Sequence, residues 1–129
     1  MISFEEFEDL IDEIIQTFPE EFFRDLNGGV FARENVELHP EGRSNDLVIM
    51  GQYCVNQHLG RYIVIYYGSF TRVYGHLSAE SFTEELRKVL LHEFRHHLES
   101  LAGLRDLEVE DAIQIARYKE NEAKESTNT

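Results

Sequence analysis

Apolar residues recur at Phe4, Phe7, Leu10, Ile11, Ile14, Ile15 and Phe18 with polar residues between them. That three-and-four spacing gives a helix one apolar face and, here, an acidic outer one. Ser3, with Glu6 three positions on, supplies a capping box to start it. Pro19 ends the helix and can begin a second short one, with Glu20 and Glu21 in its first turn. Asn27-Gly28-Gly29 is read as the stop of that second helix. The pattern then changes. Val36–His39 predicts a short strand closed by Pro40-Glu41-Gly42. Leu47–Val55 predicts a second, built on the run Leu47-Val48-Ile49-Met50. Arg61–Tyr67 predicts a third, rich in β-branched and aromatic residues, with Asn56–Gly60 as a connection of hairpin length.

From Gly68 to Ala79 the chain reads as irregular and aromatic. Ser81 with Glu84 makes another capping box and opens a long helix to Gly103. Leu107 to about Glu120 predicts a last helix, with Val109, Ala112, Ile113 and Ala116 on its buried face. Helices packed against one small sheet make the fold class α+β. A single domain is expected over residues 1–121, with a flexible polar tail at 122–129.

Composition narrows the functions. At 129 residues the chain is long enough to bury a core without disulfides or structural metals. The formal net charge of −13 argues against a nucleic-acid partner and against an anionic membrane surface. One cysteine, Cys54, allows no internal disulfide and fits the reducing cytoplasm; nothing near it in sequence would activate its thiol. Glu5, Glu6, Glu8 and Asp9 stand where a secretion signal carries positive charge, and no apolar run reaches the ~20 residues of a membrane span. His39 and His58 sit at turns and are read as surface residues.

The long helix carries the candidate chemistry. His92-Glu93-Phe94-Arg95-His96 matches H-E-x-x-H, the pattern of zinc-dependent hydrolases. Residues four apart lie one above the other on a helix, so His92 and His96 can reach one ion. Glu93 projects about 100° around from His92, within reach of a water held there, as the general base of amide hydrolysis. Leu90, Phe94, Leu98 and Leu101 fall on the opposite side, so both histidines face away from the main apolar stripe. His97 points toward the edge of that stripe.

A catalytic zinc site has three protein ligands and an open position. Asp106 follows the turn at Gly103 and is placed either to complete the ligand set or to cap the last helix. Glu99 lies on the metal face but about 10.5 Å along the axis from His92, and its spacing suits an ion pair with Arg95. Glu108, Glu110 and Asp111 read as helix-start charge. Tyr74 and His76, in the segment before the metal helix, are either packing residues or groups that stabilise an oxyanion.

These motifs resemble the small bacterial zincin-like metallopeptidase proteins, described as possible minimal zincins. The likeness extends to Phe4-Glu5-Glu6-Phe7, Phe18-Pro19-Glu20-Glu21, Ile63-Val64-Ile65-Tyr66-Tyr67, Glu85-Leu86 ahead of Val89-Leu90-Leu91-His92-Glu93, and the doubled His96-His97. The resemblance implies an N-terminal helix, a small mixed sheet of three to four strands, the H-E-x-x-H helix and a C-terminal helix. It also implies Zn2+ on His92, His96 and Asp106, and peptide hydrolysis with Glu93 as base. Two departures are visible. Members read H-E-x-x-H-H-x-G-x-x-D, whereas here four more residues precede Gly103-Leu104-Arg105-Asp106, about one helical turn. Arg95 also occupies a position that is usually small or apolar. The functional expectation is therefore a zinc metallopeptidase acting on a peptide or protein. The alternative is a non-catalytic binding module that keeps the zincin shape with a degenerate or empty site.

Overall fold

The computed structural model describes residues 1–42, 47–103 and 107–127, with the side chains of the last stretch described over 112–122. Helix α1 spans Phe4–Ile15 and begins with the expected cap. Ser3 Oγ accepts the Glu6 N–H at 3.1 Å, and the Glu6 carboxylate accepts the Ser3 N–H at 3.0 Å. These bonds hold the Glu6 carboxyl below its ordinary range. Pro19 precedes a single 3-10 turn at Glu20–Phe23. That turn stops well before the glycine pair, because Gly29 opens strand β1, Gly29–Arg33. The sequence reading missed β1. Five residues with no clean alternation give little signal, and β1 exists through its pairing with a distant strand.

The apolar run at Leu47 divides at Met50. Strand β2, Glu37–Leu38, pairs antiparallel with β3, Val48–Ile49. Strands β4, Gly51–Asn56, and β5, Gly60–Tyr66, form the main hairpin, joined as Asn56 predicts. Its Oδ1 accepts the N–H groups of His58 at 2.7 Å and Leu59 at 3.1 Å. Gly60 takes the left-handed conformation, φ 74°, which a side chain would disfavour. The sheet order is β1-β5-β4, with β1 parallel and β4 antiparallel to the central β5. Such a sheet is mixed, and its β5 residues Ile63–Tyr66 are buried.

Gly68–Ala79 is not a loop throughout. Helix α2 runs Tyr67–Tyr74 directly out of β5. Its propensity is poor, but Phe70 is fully buried and packs against Phe7 and Phe82 with ring centroids 5.8 and 5.1 Å apart. Tertiary packing, not local preference, makes this helix. The long helix α3, Ala79–Ala102, is capped by Ser78 rather than Ser81; Ser78 Oγ accepts the Ser81 N–H at 3.2 Å. Leu86, Leu90, Phe94, Leu98 and Leu101 form its buried stripe, as the spacing predicts. Helix α4, Leu107–Thr127, packs on α3 through Ala112, Ile113 and Ala116. It continues past Glu120 into the residues read as a polar tail, where Glu122, Ala123, Lys124 and Glu125 are good helix formers. Among the described residues, four α-helices and a small mixed sheet make this an α+β fold. No helix among the described residues is long and apolar enough to cross a membrane.

Candidate metal centre

Phe94 fixes the orientation of the motif. It is fully buried against Phe18, Phe22 and Phe23, with ring centroids at 5.4, 6.1 and 5.1 Å. With Phe94 pointing into the core, His92 and His96 must emerge on the other side of α3. The structure brings them together. Their Nε2 atoms stand 2.9 Å apart and the rings meet edge to face, centroids 4.4 Å apart. Two imidazoles held tetrahedrally at Zn–N of about 2.0–2.1 Å have nitrogens about 3.3 Å apart. A few tenths of an ångström of opening would admit the ion, so the pair fits zinc.

Glu93 lies beside them, only 7 % exposed. Burial raises its carboxyl pKa, against the opposing pull of His92 and a backbone hydrogen bond from Tyr53. A carboxylate moved toward neutrality is a better proton acceptor than one near 4. Partial burial, with His92 and Arg95 nearby, lowers the His96 pKa and favours its neutral, metal-binding form.

A cleft of about 380 Å³ opens at His92 and Glu93, with Met50 and Gly51 on one wall and Tyr74, Val89 and Glu120 among its other lining residues. Gly51 leaves no room for a side chain between β4, β5 and α3. A Cβ there would stand 2.9 Å from Ile65 Cδ1 and 3.2 Å from Val89 Cγ1. Tyr74 reaches this cleft; burial and the nearby Glu85 raise its pKa, so the hydroxyl keeps its proton. His76 is exposed and is not among the described lining residues.

His97 serves a different purpose. It is fully buried, donates Nε2–H to the Arg24 carbonyl at 2.7 Å and accepts the Tyr53 hydroxyl at Nδ1, 2.9 Å away. Arg61 in turn donates to the Tyr53 oxygen at 2.8 Å and to Ser100 Oγ at 2.6 Å. Tyr53 thus touches Glu93 through its backbone and His97 through its ring, and registers β4 against the motif. Nothing in its sequence context marks it out.

The third ligand is less complete. Asp106 lies outside the described residues, as do the side chains of Glu108, Glu110 and Asp111. Among the described residues no group of three His, Cys, Asp or Glu side chains is arranged to hold an ion. Glu99 is exposed and sits 3.5 Å from Arg95 Nε and 3.5 Å from Arg117, so it is an ion-pair partner as its spacing indicates. The carboxylate that does reach the histidine pair is Glu120 of α4. It is 5 % exposed, with Oε1 3.1 Å from His92 Nδ1. Its signal was in the sequence: Ala112, Ala116 and Glu120 recur every four residues, which puts an acid on a buried stripe.

A buried glutamate flanked by two histidines one turn apart, on a helix packed against a mixed sheet, is the arrangement of a zincin-type helix. The match to known proteins agrees. The model of the zincin-like metallopeptidase family covers residues 35–115, and the chain belongs to that family. It is similar to a solved structure, a conserved hypothetical protein from Thermo thermophilus. The two share 34% identity at a TM-score of 0.68, over 81% of this chain and 100% of that one. Curated protein sequences give no match.

Proposed function

We propose that the protein is a zinc-dependent peptidase in which His92 and His96 hold the ion and Glu93 is the general base. The observation that carries this reading is the convergence of the two Nε2 atoms, 2.9 Å apart, one of them on His92, which with the buried Glu93 lines a cleft. Asp106 remains our candidate for the third ligand. Zinc held by His92 and His96 would supply Lewis acidity and would lower the pKa of its bound water toward neutral. Glu93 then accepts the proton from the attacking water and returns it to the leaving amine. The Tyr53 backbone holds the Glu93 carboxylate in place, and Tyr74, its hydroxyl bonded to Glu85, forms part of the cleft lining. A peptide is the substrate class that suits the site. Strand β4 is a sheet edge, and Met50 and Gly51 at its start line the cleft, so an extended chain would meet that end of the edge; farther along, the Tyr53 N–H is taken by Glu93.

Glu93→Gln tests the chemistry. It preserves shape and hydrogen bonding but removes the base, so zinc should stay bound while cleavage of a diverse peptide library falls about 100-fold or more. Full retention of cleavage in Glu93→Gln removes Glu93 as base. Zinc binding without any cleavage by the unaltered protein selects the non-catalytic binding module.

A further inference from the structure

Glu120 does not touch the face of His92 on which a metal would sit. The imidazole is used from both sides: Nε2 faces His96 Nε2 at 2.9 Å, and Nδ1 faces Glu120 Oε1 at 3.1 Å. A carboxylate behind the ring cannot share the ion held in front of it. It can dictate which nitrogen carries the proton. Arg95 also approaches Nδ1, its terminal nitrogen at 3.3 Å, so Nδ1 faces one acceptor and one donor. The nearer group is the carboxylate, which is buried and needs donors. Arg95 has another role there. Its Nε lies 3.4 Å from Glu120 Oε2 and makes no hydrogen bond among the described residues, so it offsets the carboxylate's charge. Nδ1–H therefore donates to Glu120, and Nε2 is left with its lone pair toward His96.

We propose that Glu120 is the positioning residue of the metal centre: a carboxylate delivered by α4 that fixes His92 as the Nδ1–H tautomer and aims Nε2 at the ion. The inference rests on the reading of His92 as a metal ligand. Its consequence is that metal affinity depends on the docking of the C-terminal helix, because no residue of α3 supplies this acceptor. It also gives α4 a role in the site that does not require a ligand from the residues before it. A ligand histidine whose second nitrogen is held by a carboxylate is both oriented and made more basic.

The test uses the full-length protein at fixed neutral pH and inorganic zinc as the probe, read by competition with a chromophoric chelator and by 15N NMR of the imidazoles. In the unaltered metal-free protein, His92 should show a protonated Nδ1 and an unprotonated Nε2. In Glu120→Leu it should revert toward the Nε2–H form that free imidazole side chains prefer, and zinc should bind about 10- to 100-fold more weakly. Glu120→Gln, which keeps an acceptor but no charge, should retain the tautomer and fall between the two in affinity. Thermal melts of the metal-free variants identify any loss that reflects unfolding; the tautomer of the unaltered protein needs no variant at all. An Nε2–H form in the unaltered protein overturns the proposal. So does unchanged zinc affinity in a folded Glu120→Leu. Failure of the unaltered protein to bind zinc overturns the metal reading itself, which is a different result.

Discussion

His96 and His97 are adjacent in sequence and opposite in use. His96 is exposed beside His92, whereas His97 is sealed between Arg24 and Tyr53. His96→Ala should abolish zinc binding with little change in metal-free stability. His97→Ala should keep zinc binding but lower stability by about 2–4 kcal/mol, since it opens a cavity and strands the Tyr53 hydroxyl and the Arg24 carbonyl. Chemical denaturation of the two metal-free variants, beside zinc titration, checks this; the opposite pattern refutes the register. His97 also sets a pH dependence. Burial lowers its pKa below the ordinary 6.5, so the unfolded chain takes up a proton that the folded one resists. The stabilisation is complete above about 6.5 and drains away as the pH falls below it. Melting of the chelator-treated protein between about pH 7.5 and 5.5 should show that decline, and His97→Gln should flatten it. The motif was legible residue by residue because its spacing is short-range. The direction of His97 was read only as the edge of the core, since the wheel gives an angle and not the depth of the neighbours.

The long amphipathic helices announced themselves, and α1 and α3 stand where the apolar spacing puts them, with the start of α3 displaced by one turn. Ser81 with Glu84 has the capping-box spacing and Ser78 does not, yet the hydroxyl that receives the backbone N–H belongs to Ser78. Ser78→Ala should therefore cost about 1 kcal/mol in thermal or chemical melts, and Ser81→Ala much less. The elements that sequence misread, β1 and α2, are those held by partners far along the chain: β1 by β5, and α2 by Phe7 and Phe82. Neither has a period of its own to display. The approach of β4 to α3 at Gly51 is another such feature. Gly51→Val should disturb the cleft wall by pushing on Ile65 and Val89, at a cost of about 1–3 kcal/mol from overpacking. It should impair peptide cleavage more than zinc binding, measured side by side; equal loss of both would mean that the strand supports the metal helix and not the substrate.

Taken whole, the molecule sets the H-E-x-x-H helix between an aromatic core on one side and the C-terminal helix and a sheet edge on the other. The α+β class and the zincin-like family were readable because most of the fold is sequential: helix, strands, helix, helix. The way α4 folds back was not; the four-residue spacing marks Glu120 as buried but not as the acid that, among the described residues, reaches the histidine pair. Sequence reasoning looked for an acid close in number to His96 and settled on Asp106, which lies outside the described residues, while Glu99 pairs with Arg95 as its spacing indicated. Zinc content bears on all of this at once. Tag-free protein incubated with zinc, freed of excess and measured by elemental analysis should carry about one ion per chain, and His92→Ala or His96→Ala close to none. Protein that keeps no zinc, or variants that keep as much as the unaltered chain, would show that His92 and His96 are not a metal pair.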